Sequence, residues 1–386
     1  MAHADTLEMI ERFISFDTVS SNSNIPFIRF VQETLEGEGA EVSLTFDSTG
    51  KKANLLASLG SRDVPGLLLS GHTDVVPVDD QVWASNPFSL AEKDGNLYGR
   101  GTCDMKGFLA IATAFLVRTK SQKPSIPLHI AMSYDEEVGC LGVHDLIEDI
   151  RSKIATPRLC IVGEPSEMSI VYAHKGKVGG HVVAKGLNAH SSLSHQGVNA
   201  VEAVCEAVAF LKGLQRNARD KGPFNLAFED PKYMSIQCCM VGGGTAVNVI
   251  PASASFDFDI RYLPGDEPES YFSQLEEFIA KKLEPEMQAI APETGLSLDR
   301  VPGCAAFWQN LDESIVALVR DVVPDKTLKA VPFGTEAGYF RNAGIPTLIC
   351  GPGSIDQAHK PDEFVTIDQV TDCEQFLDRL TRKLSG

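Results

Sequence analysis

Five side chains with metal-binding chemistry, His72, Asp104, Glu137, Glu164 and His359, each lie beyond a short apolar run or where a helix begins. In an open α/β sheet those positions are the carboxyl ends of strands, where ligands gather. Two imidazoles and three carboxylates make a hard, mostly oxygen donor set, which suits zinc, cobalt or manganese better than iron-sulfur or copper(I) chemistry. The run LLLSGHTDVVPV leads an apolar strand straight into His72 and Asp74. Residues two apart share a face of an extended segment, so Asp74 is expected to accept a hydrogen bond from the non-coordinating nitrogen of His72 and fix its tautomer. In LYGRGTCDMKGFLAIATAFL, Gly99, Gly101 and Gly107 permit tight turning before a helix, and Asp104 stands at the helix start, where either a cap or a ligand would sit. A carboxylate has two oxygens, so Asp104 could serve two ions about 3.5–4 Å apart. The run IAMSYDEEVG ends in Asp135, Glu136 and Glu137. Such a triplet is either a solvated turn or a set of ligands, since clustered carboxylates repel unless cations neutralise them. With Glu137 as a ligand, Glu136 beside it is left to take and return a proton. CIVGEPS brings Glu164 after a further apolar run, and ICGPGSIDQAHKPDEFV carries His359 in a loop. With Asp104 counted twice, these residues complete two sites of three ligands each.

Such a site needs strands and helices that end on one edge. A helical period in Leu7, Ile10, Phe13 and Ile14, with Asp5 as the expected cap, predicts a first helix, and a second fits 28–35. Brief apolar runs at 54–59, 67–70, 126–133 and 159–162 alternate with helical patterns at 106–117 and 141–150. The alternation predicts an α/β domain with a mixed, largely parallel sheet flanked by helices. Near Gly176 the pattern changes to strand, helix, strand, strand, helix, strand at 179–185, 199–214, 234–241, 254–261, 267–283 and 295–300. That βαββαβ order is ferredoxin-like and predicts an inserted α+β domain over 178–301. A helix at 314–322 and an apolar run at 346–350 return the chain to the first domain, which therefore comprises 1–177 and 302–386. The segment 217–231 is the expected flexible loop.

Composition removes other classes of function. A chain of 386 residues with 43% hydrophobic content supports two cores. Its 52 acidic against 34 basic side chains leave a formal charge of -18, which argues against nucleic acid or an anionic membrane as a partner. Nine cysteines without a CxxC spacing indicate neither a disulfide framework nor a thiolate zinc site, and fit a reducing cytoplasm. No stretch approaches the ~20 apolar residues of a membrane span, and the first residues lack the core of a signal peptide. The expectation is a cytoplasmic protein acting on a small molecule.

Taken together, the five motifs resemble the metallohydrolase family that contains acetylornithine deacetylase, succinyl-diaminopimelate desuccinylase, aminoacylase and glutamate carboxypeptidase, over nearly the whole chain. The resemblance implies two zinc ions, one on His72, Asp104 and Glu164 and the other on Asp104, Glu137 and His359. It implies Asp74 as orienter, Glu136 as general base, and an inserted dimerisation or lid domain, hence a homodimer. In KGLNAHSSLSHQGVNA, His190 matches the family position that polarises the scissile carbonyl, often from the partner subunit, with His195 near enough to compete. Arg261 and Asn248 have the chemistry to hold an α-carboxylate, although Arg261 could instead make only a salt bridge. In FGTEAGYF, Glu336 is an acid that could attract a side-chain ammonium, and this Gly-Thr-Glu-Ala-Gly pattern is similar to acetylornithine deacetylases. The implied reaction is hydrolysis of an N-acyl amino acid, N2-acetyl-L-ornithine foremost, a step of arginine biosynthesis. A desuccinylase, an aminoacylase or a di- or tripeptidase would use the same chemistry. A metal-binding protein without catalysis would be expected to show a broken ligand set, and here ligands and base are all present.

Overall fold

The computed structural model describes residues 2–120 and 125–385. By packing the chain divides into two units, Met1–His174 with Phe307–Ala330 and Thr335–Gly386, and Lys175–Ala306 with Val331–Gly334.

The first unit is built on a mixed sheet whose centre is four strands, Leu128–Ser133, Leu67–His72, Leu159–Pro165 and Thr347–Gly351, in that spatial order. All three pairings among them are parallel, so their carboxyl ends share one edge. Every residue of these strands is buried, the signature of a sheet covered on both faces, and it explains why they read as continuous apolar runs instead of alternating ones. Antiparallel strands extend the sheet, Ala53–Leu59 and Glu41–Phe46 on one side, Ile170–His174 and Phe307–Trp308 on the other. A separate antiparallel sheet pairs Asn96–Tyr98 with Ala91–Lys93 and with Phe364–Thr366.

Helix Lys106–Thr119 packs on the parallel strands and is apolar on nearly every side, as a helix enclosed by sheet and other helices must be. Its approach depends on two glycines. Gly101 has φ +88°, and a Cβ on Gly107 would lie 2.1 Å from the Thr102 carbonyl oxygen. Asp104 does not cap this helix; Met105 holds the cap position and the Asp104 side chain is turned elsewhere. Asp5 likewise lies inside the first turn of Ala4–Ile14, with His3 in the cap position. The helix Ile367–Leu384 closes the unit, capped by Thr366, whose hydroxyl accepts the Gln369 amide. Its buried stripe Val370, Cys373, Phe376, Leu377 and Leu380 has the helical period.

In the second unit the strands Ser235–Gly243, Ser253–Tyr262, Gly176–Lys185 and Gly295–Val301 stand in that order, all antiparallel. Ser253–Tyr262 alternates buried and half-exposed positions, so one face packs under helices Ala200–Lys221 and Glu269–Phe278 while the other carries polar side chains. Its main stretch runs from Lys175 to Ala306, a few residues wider than the periodicity indicates, and Val331–Gly334 joins it. Tyr262 accounts for the far end, since its hydroxyl donates to the Cys304 carbonyl and accepts the Ala306 amide. Helix Ala200–Lys221 outruns the expected boundary at 214 and takes in the start of the segment read as a flexible loop. The rest of that segment is tethered: buried Lys175 donates to the Pro231 and Tyr233 carbonyls at 2.6 and 2.7 Å, and Phe228 is buried. All nine cysteines are free thiols. Among the described residues no helix is long and apolar enough to cross a membrane.

Candidate metal centre

The carboxyl edge of the parallel strands collects the residues expected as ligands. His72 is the last residue of its strand and lies in register with Ser133, two residues before Asp135, which Glu136 and Glu137 follow. Glu164 is the penultimate residue of Leu159–Pro165, and His359 follows Thr347–Gly351 in a turn where it adopts φ +62°. Asp104 precedes helix Lys106–Thr119.

Two groups result, His72, Asp104 and Glu164, and Asp104, Glu137 and His359, each with ligand atoms within 4.8 Å of one another. Asp104 faces both. Its Oδ1 lies 3.0 Å from His72 Nε2, and its Oδ2 lies 3.3 Å from His359 Nε2. Glu164 Oε1 is 3.8 Å from His72 Nε2, and Glu137 is 3.1 Å from His359 Nε2. Three carboxylates gathered with two imidazoles fit a site for cations. The fit shows in the electrostatics, because burial and then the neighbouring Asp104 push the Glu137 and Glu164 carboxyls above their usual range. The His72 pKa is raised as well, but from a different cause. Burial opposes its charge, yet hydrogen bonds to Asp104 and Asp74 outweigh that and hold its pKa well above the usual value. Burial would also raise Asp104, but its two histidine partners leave it lowered. Hydrogen bonds to Asp104 and Glu137 carry His359 up to about 10.

Asp74 works differently from the simple orienter expected. The His72 Nδ1 hydrogen points to the Asp74 backbone carbonyl at 2.8 Å, whereas the nearer carboxylate oxygen is 3.6 Å away. The carbonyl thus fixes the tautomer that leaves Nε2 free for a ligand bond. The Asp74 carboxylate accepts the amides of Glu136 and Glu137 at 3.1 and 3.3 Å and the Ser20 hydroxyl at 2.7 Å. One residue therefore sets both the ring and the acid turn. That turn splits its three acids: Asp135 pairs with Lys52 at 2.7 Å, Glu137 faces His359, and Glu136 is half-buried beside the cluster. Burial first, then Glu137, Glu336 and Asp104, against a lowering effect of His72, hold the Glu136 carboxyl well above its usual range. A carboxylate with its proton affinity raised in this way is better suited to accept a proton than an ordinary exposed one.

Glu336 is corrected by its burial. The residue is 1% exposed and both carboxyl oxygens are buried, so no substrate ammonium can meet it in this conformation. Burial pushes its pKa up to about 7, with nearby Ser133 acting in the lowering direction. His190, His195, Asn248 and Arg261 belong to the second unit and are not part of the ligand cluster of the first. His190 is exposed and its Nδ1 accepts the Ser192 amide at 3.2 Å. His195 and Asn248 are exposed as well. Arg261 donates through Nε to Asp259 at 3.1 Å, so the salt bridge foreseen as its alternative is present.

A residue beside the site that the motif pattern passes over is Glu363, a buried acid whose Oε1 accepts three amides of the loop bearing Asp104. Its signal was position alone, four residues beyond His359 in an otherwise polar turn.

The sequence pattern of peptidase family M20/M25/M40 matches residues 68–383. The chain is 34% identical over 385 residues to an acetylornithine deacetylase of Pasteurella multocida (strain Pm70), covering 97% of this chain and 96% of that protein. An M20 family metallo-carboxypeptidase from Sulfolobus solfataricus superposes with a TM-score of 0.79 at 18% identity, over 99% of both chains. A dinuclear metal binding peptidase of the M20 family, the YXEP protein of Bacillus subtilis, does so with 0.62 at 13% identity over 98% of both.

Proposed function

Since the chain belongs to peptidase family M20/M25/M40 and catalyses metal-dependent amide hydrolysis, we propose that it hydrolyses N2-acetyl-L-ornithine to L-ornithine and acetate. The observation that carries the chemistry is a single aspartate, Asp104, facing two ligand groups with Glu136 beside them. The substrate reading rests on the Pasteurella relative, similar over nearly the full length of both chains. Two divalent ions, zinc foremost, with cobalt or manganese as alternatives, would be held by His72, Asp104 and Glu164 and by Asp104, Glu137 and His359, and when bound would polarise the scissile carbonyl and acidify the attacking water.

The residues do the rest. Glu136, with its raised proton affinity, takes the proton from the attacking water and returns it to the leaving amine. Asp74 holds the Glu136 backbone and, through its carbonyl, the His72 ring, so base and ligand keep one relative orientation. His190 supplies a hydrogen bond to the developing oxyanion, and Asn248 and Arg261 receive the substrate α-carboxylate; residue type supports these roles. The βαββαβ order of the second unit supports reading it as a ferredoxin-like lid or dimerisation domain.

Two measurements test the proposal. Glu136→Gln should retain two ions and lose about 10²–10⁴-fold in turnover; wild-type turnover in that variant removes Glu136 from the mechanism. Across a panel of N-acetyl, N-succinyl and other N-acyl amino acids and small peptides, kcat/KM should be highest for N2-acetyl-L-ornithine. A higher value on a peptide or a succinylated substrate replaces the substrate assignment and leaves the hydrolase chemistry in place.

A further inference from the structure

The two ligand groups are not held in the same way. His72 and Glu164 are strand residues whose backbones are fixed by the parallel ladder. Asp104 and His359 lie in loops that no ladder crosses, yet they stand within 3.3 Å of each other. Something else must set that distance.

The buried Glu363 spans both loops. Its Oε1 accepts three amides of the Asp104 loop, from Gly101 at 3.0 Å, Cys103 at 2.8 Å and Asp104 itself at 3.0 Å. The other oxygen accepts Arg100 Nη1 at 2.7 Å. Arg100, itself only 1% exposed, extends the network toward His359. Its Nη1 also donates to the Lys360 carbonyl at 3.3 Å, its Nη2 donates to Gln81 Oε1 at 2.7 Å, and its guanidinium lies 5.0 Å over the Trp83 ring. Gln81 Nε2 then donates to the carbonyl of His359 at 3.1 Å. The Glu363 backbone contributes too, since its carbonyl accepts the Gly99 amide at 2.9 Å just before Phe364 pairs with Tyr98.

The chemistry of this network suits alignment better than simple adhesion. A buried ion pair is weak support for stability, because desolvation of both charges offsets much of their attraction. A carboxylate that accepts three nearby amides, by contrast, permits only one conformation of the loop that bears them. The amides of Gly101, Cys103 and Asp104 have the partners that a strand neighbour would otherwise supply.

We propose that Glu363, acting with Arg100 and Gln81, is the positioning residue that sets Asp104 and His359 at ligating distance and so governs the affinity of the second ion site. The assignment rests on the two-ion reading above. It makes Glu363 neither a ligand nor a catalytic residue. The second group takes two of its three ligands from the loops that this network joins, and the first group takes one. Loosening the network therefore weakens the second site more than the first.

The test is calorimetric titration of metal-free full-length protein with cobalt(II), with bound metal counted after gel filtration and melting temperature measured in parallel. Wild type should take up two ions. Glu363→Gln keeps the shape but turns an amide toward Arg100, and should raise the dissociation constant of the weaker-held ion about 10–100-fold with a clearly smaller change at the other. Gln81→Leu, at a half-buried residue that can be altered without unfolding the core, should weaken only the second site, by less than Glu363→Gln. It also keeps the assignment testable if Glu363→Gln fails to fold. Equal weakening of both sites in these variants, or a lowered melting temperature with both affinities intact, overturns the positioning role. Wild type that takes up fewer than two ions overturns the two-ion reading and this assignment with it, whereas wild type that takes up two beside variants that bind both unchanged overturns this assignment alone.

Discussion

His72 and Glu164 sit on hydrogen-bonded parallel strands and are buried, while Glu137 and His359 come from turns, and His359 leaves 53% of its side chain exposed. Both groups are completed by Asp104. In the first, the sheet fixes the backbones, and the side chains have little freedom left to lose. The second is assembled by side chains that accept loop amides, Asp74 for the acid turn and Glu363 for the Asp104 loop. Secondary structure thus delivers one half of the centre, and a network of buried polar side chains delivers the other. The burial that makes the first half rigid also makes its charges interdependent, so changes there should reach the fold, and changes in the second half should reach chiefly the site.

The largest expected contrast lies between two histidine substitutions. In metal-free protein His72→Ala leaves Asp104 and Glu164 buried without their shared cationic partner, and should cost about 3–5 kcal/mol of stability. His359→Ala also removes a cationic partner from Asp104 and Glu137, but its ring is half exposed and water can take over part of that pairing, so it should cost clearly less than His72→Ala while abolishing retention of one ion. Denaturant unfolding with metal analysis compares them, and equal destabilisation would erase the distinction between the halves.

A smaller effect tests the sheet beneath the first group. His129 lies on Leu128–Ser133, the strand that pairs with the one bearing His72, and burial together with nearby Arg62 lowers its pKa to about 4. As a base with a depressed folded pKa, it is neutral in the fold while the unfolded chain takes up a proton below about 6.5. The stability linked to it is therefore present above pH 6.5 and lost as pH falls toward 4, at most about 3 kcal/mol. Stability measured against pH should show that slope in wild type and a shallower one in His129→Gln; parallel slopes would discount the contribution.

The smallest effect concerns protons displaced by metal. Asp104 and Glu137 raise the His359 pKa to about 10, so below that pH an ion must expel a proton to use the ring, and affinity should fall about tenfold for each unit of acidification. His359→Asn offers a ligand that does not titrate. Calorimetry in buffers of different ionisation enthalpy should count one proton fewer released by the variant, and an unchanged count would mean that the ring does not ligate.

Much of the first unit was legible in the sequence because a buried strand and a packed helix each need a run of apolar side chains, and such runs were conspicuous before His72, Asp135 and Glu164. The helix Ile367–Leu384 carried an equally clear signal in Thr366 and its apolar stripe, yet it is missing from the elements expected from the sequence. Other features had no local mark. A one-dimensional pattern cannot show that the Asp74 carboxylate prefers two amides to a ring, nor that Glu336 turns into the core, because both depend on partners distant in the chain. Asp104 illustrates the limit from the other side: its position before a helix suggested a cap, and only the arrival of His72 and His359 gives its two oxygens other work.

The residue types and the short apolar runs before them were enough to determine an acid-rich, metal-binding carboxyl edge on a parallel sheet, since hydrophobic burial and the direction of parallel strands act locally and in one sense. Tertiary structure alone decided which oxygen faces which ring, which acid of the turn faces His359 and which stands beside the cluster, and which buried glutamate accepts the loop amides. Those outcomes depend on distances of a few ångströms between segments remote in the chain, where hydrogen-bonding and electrostatic energies change most steeply.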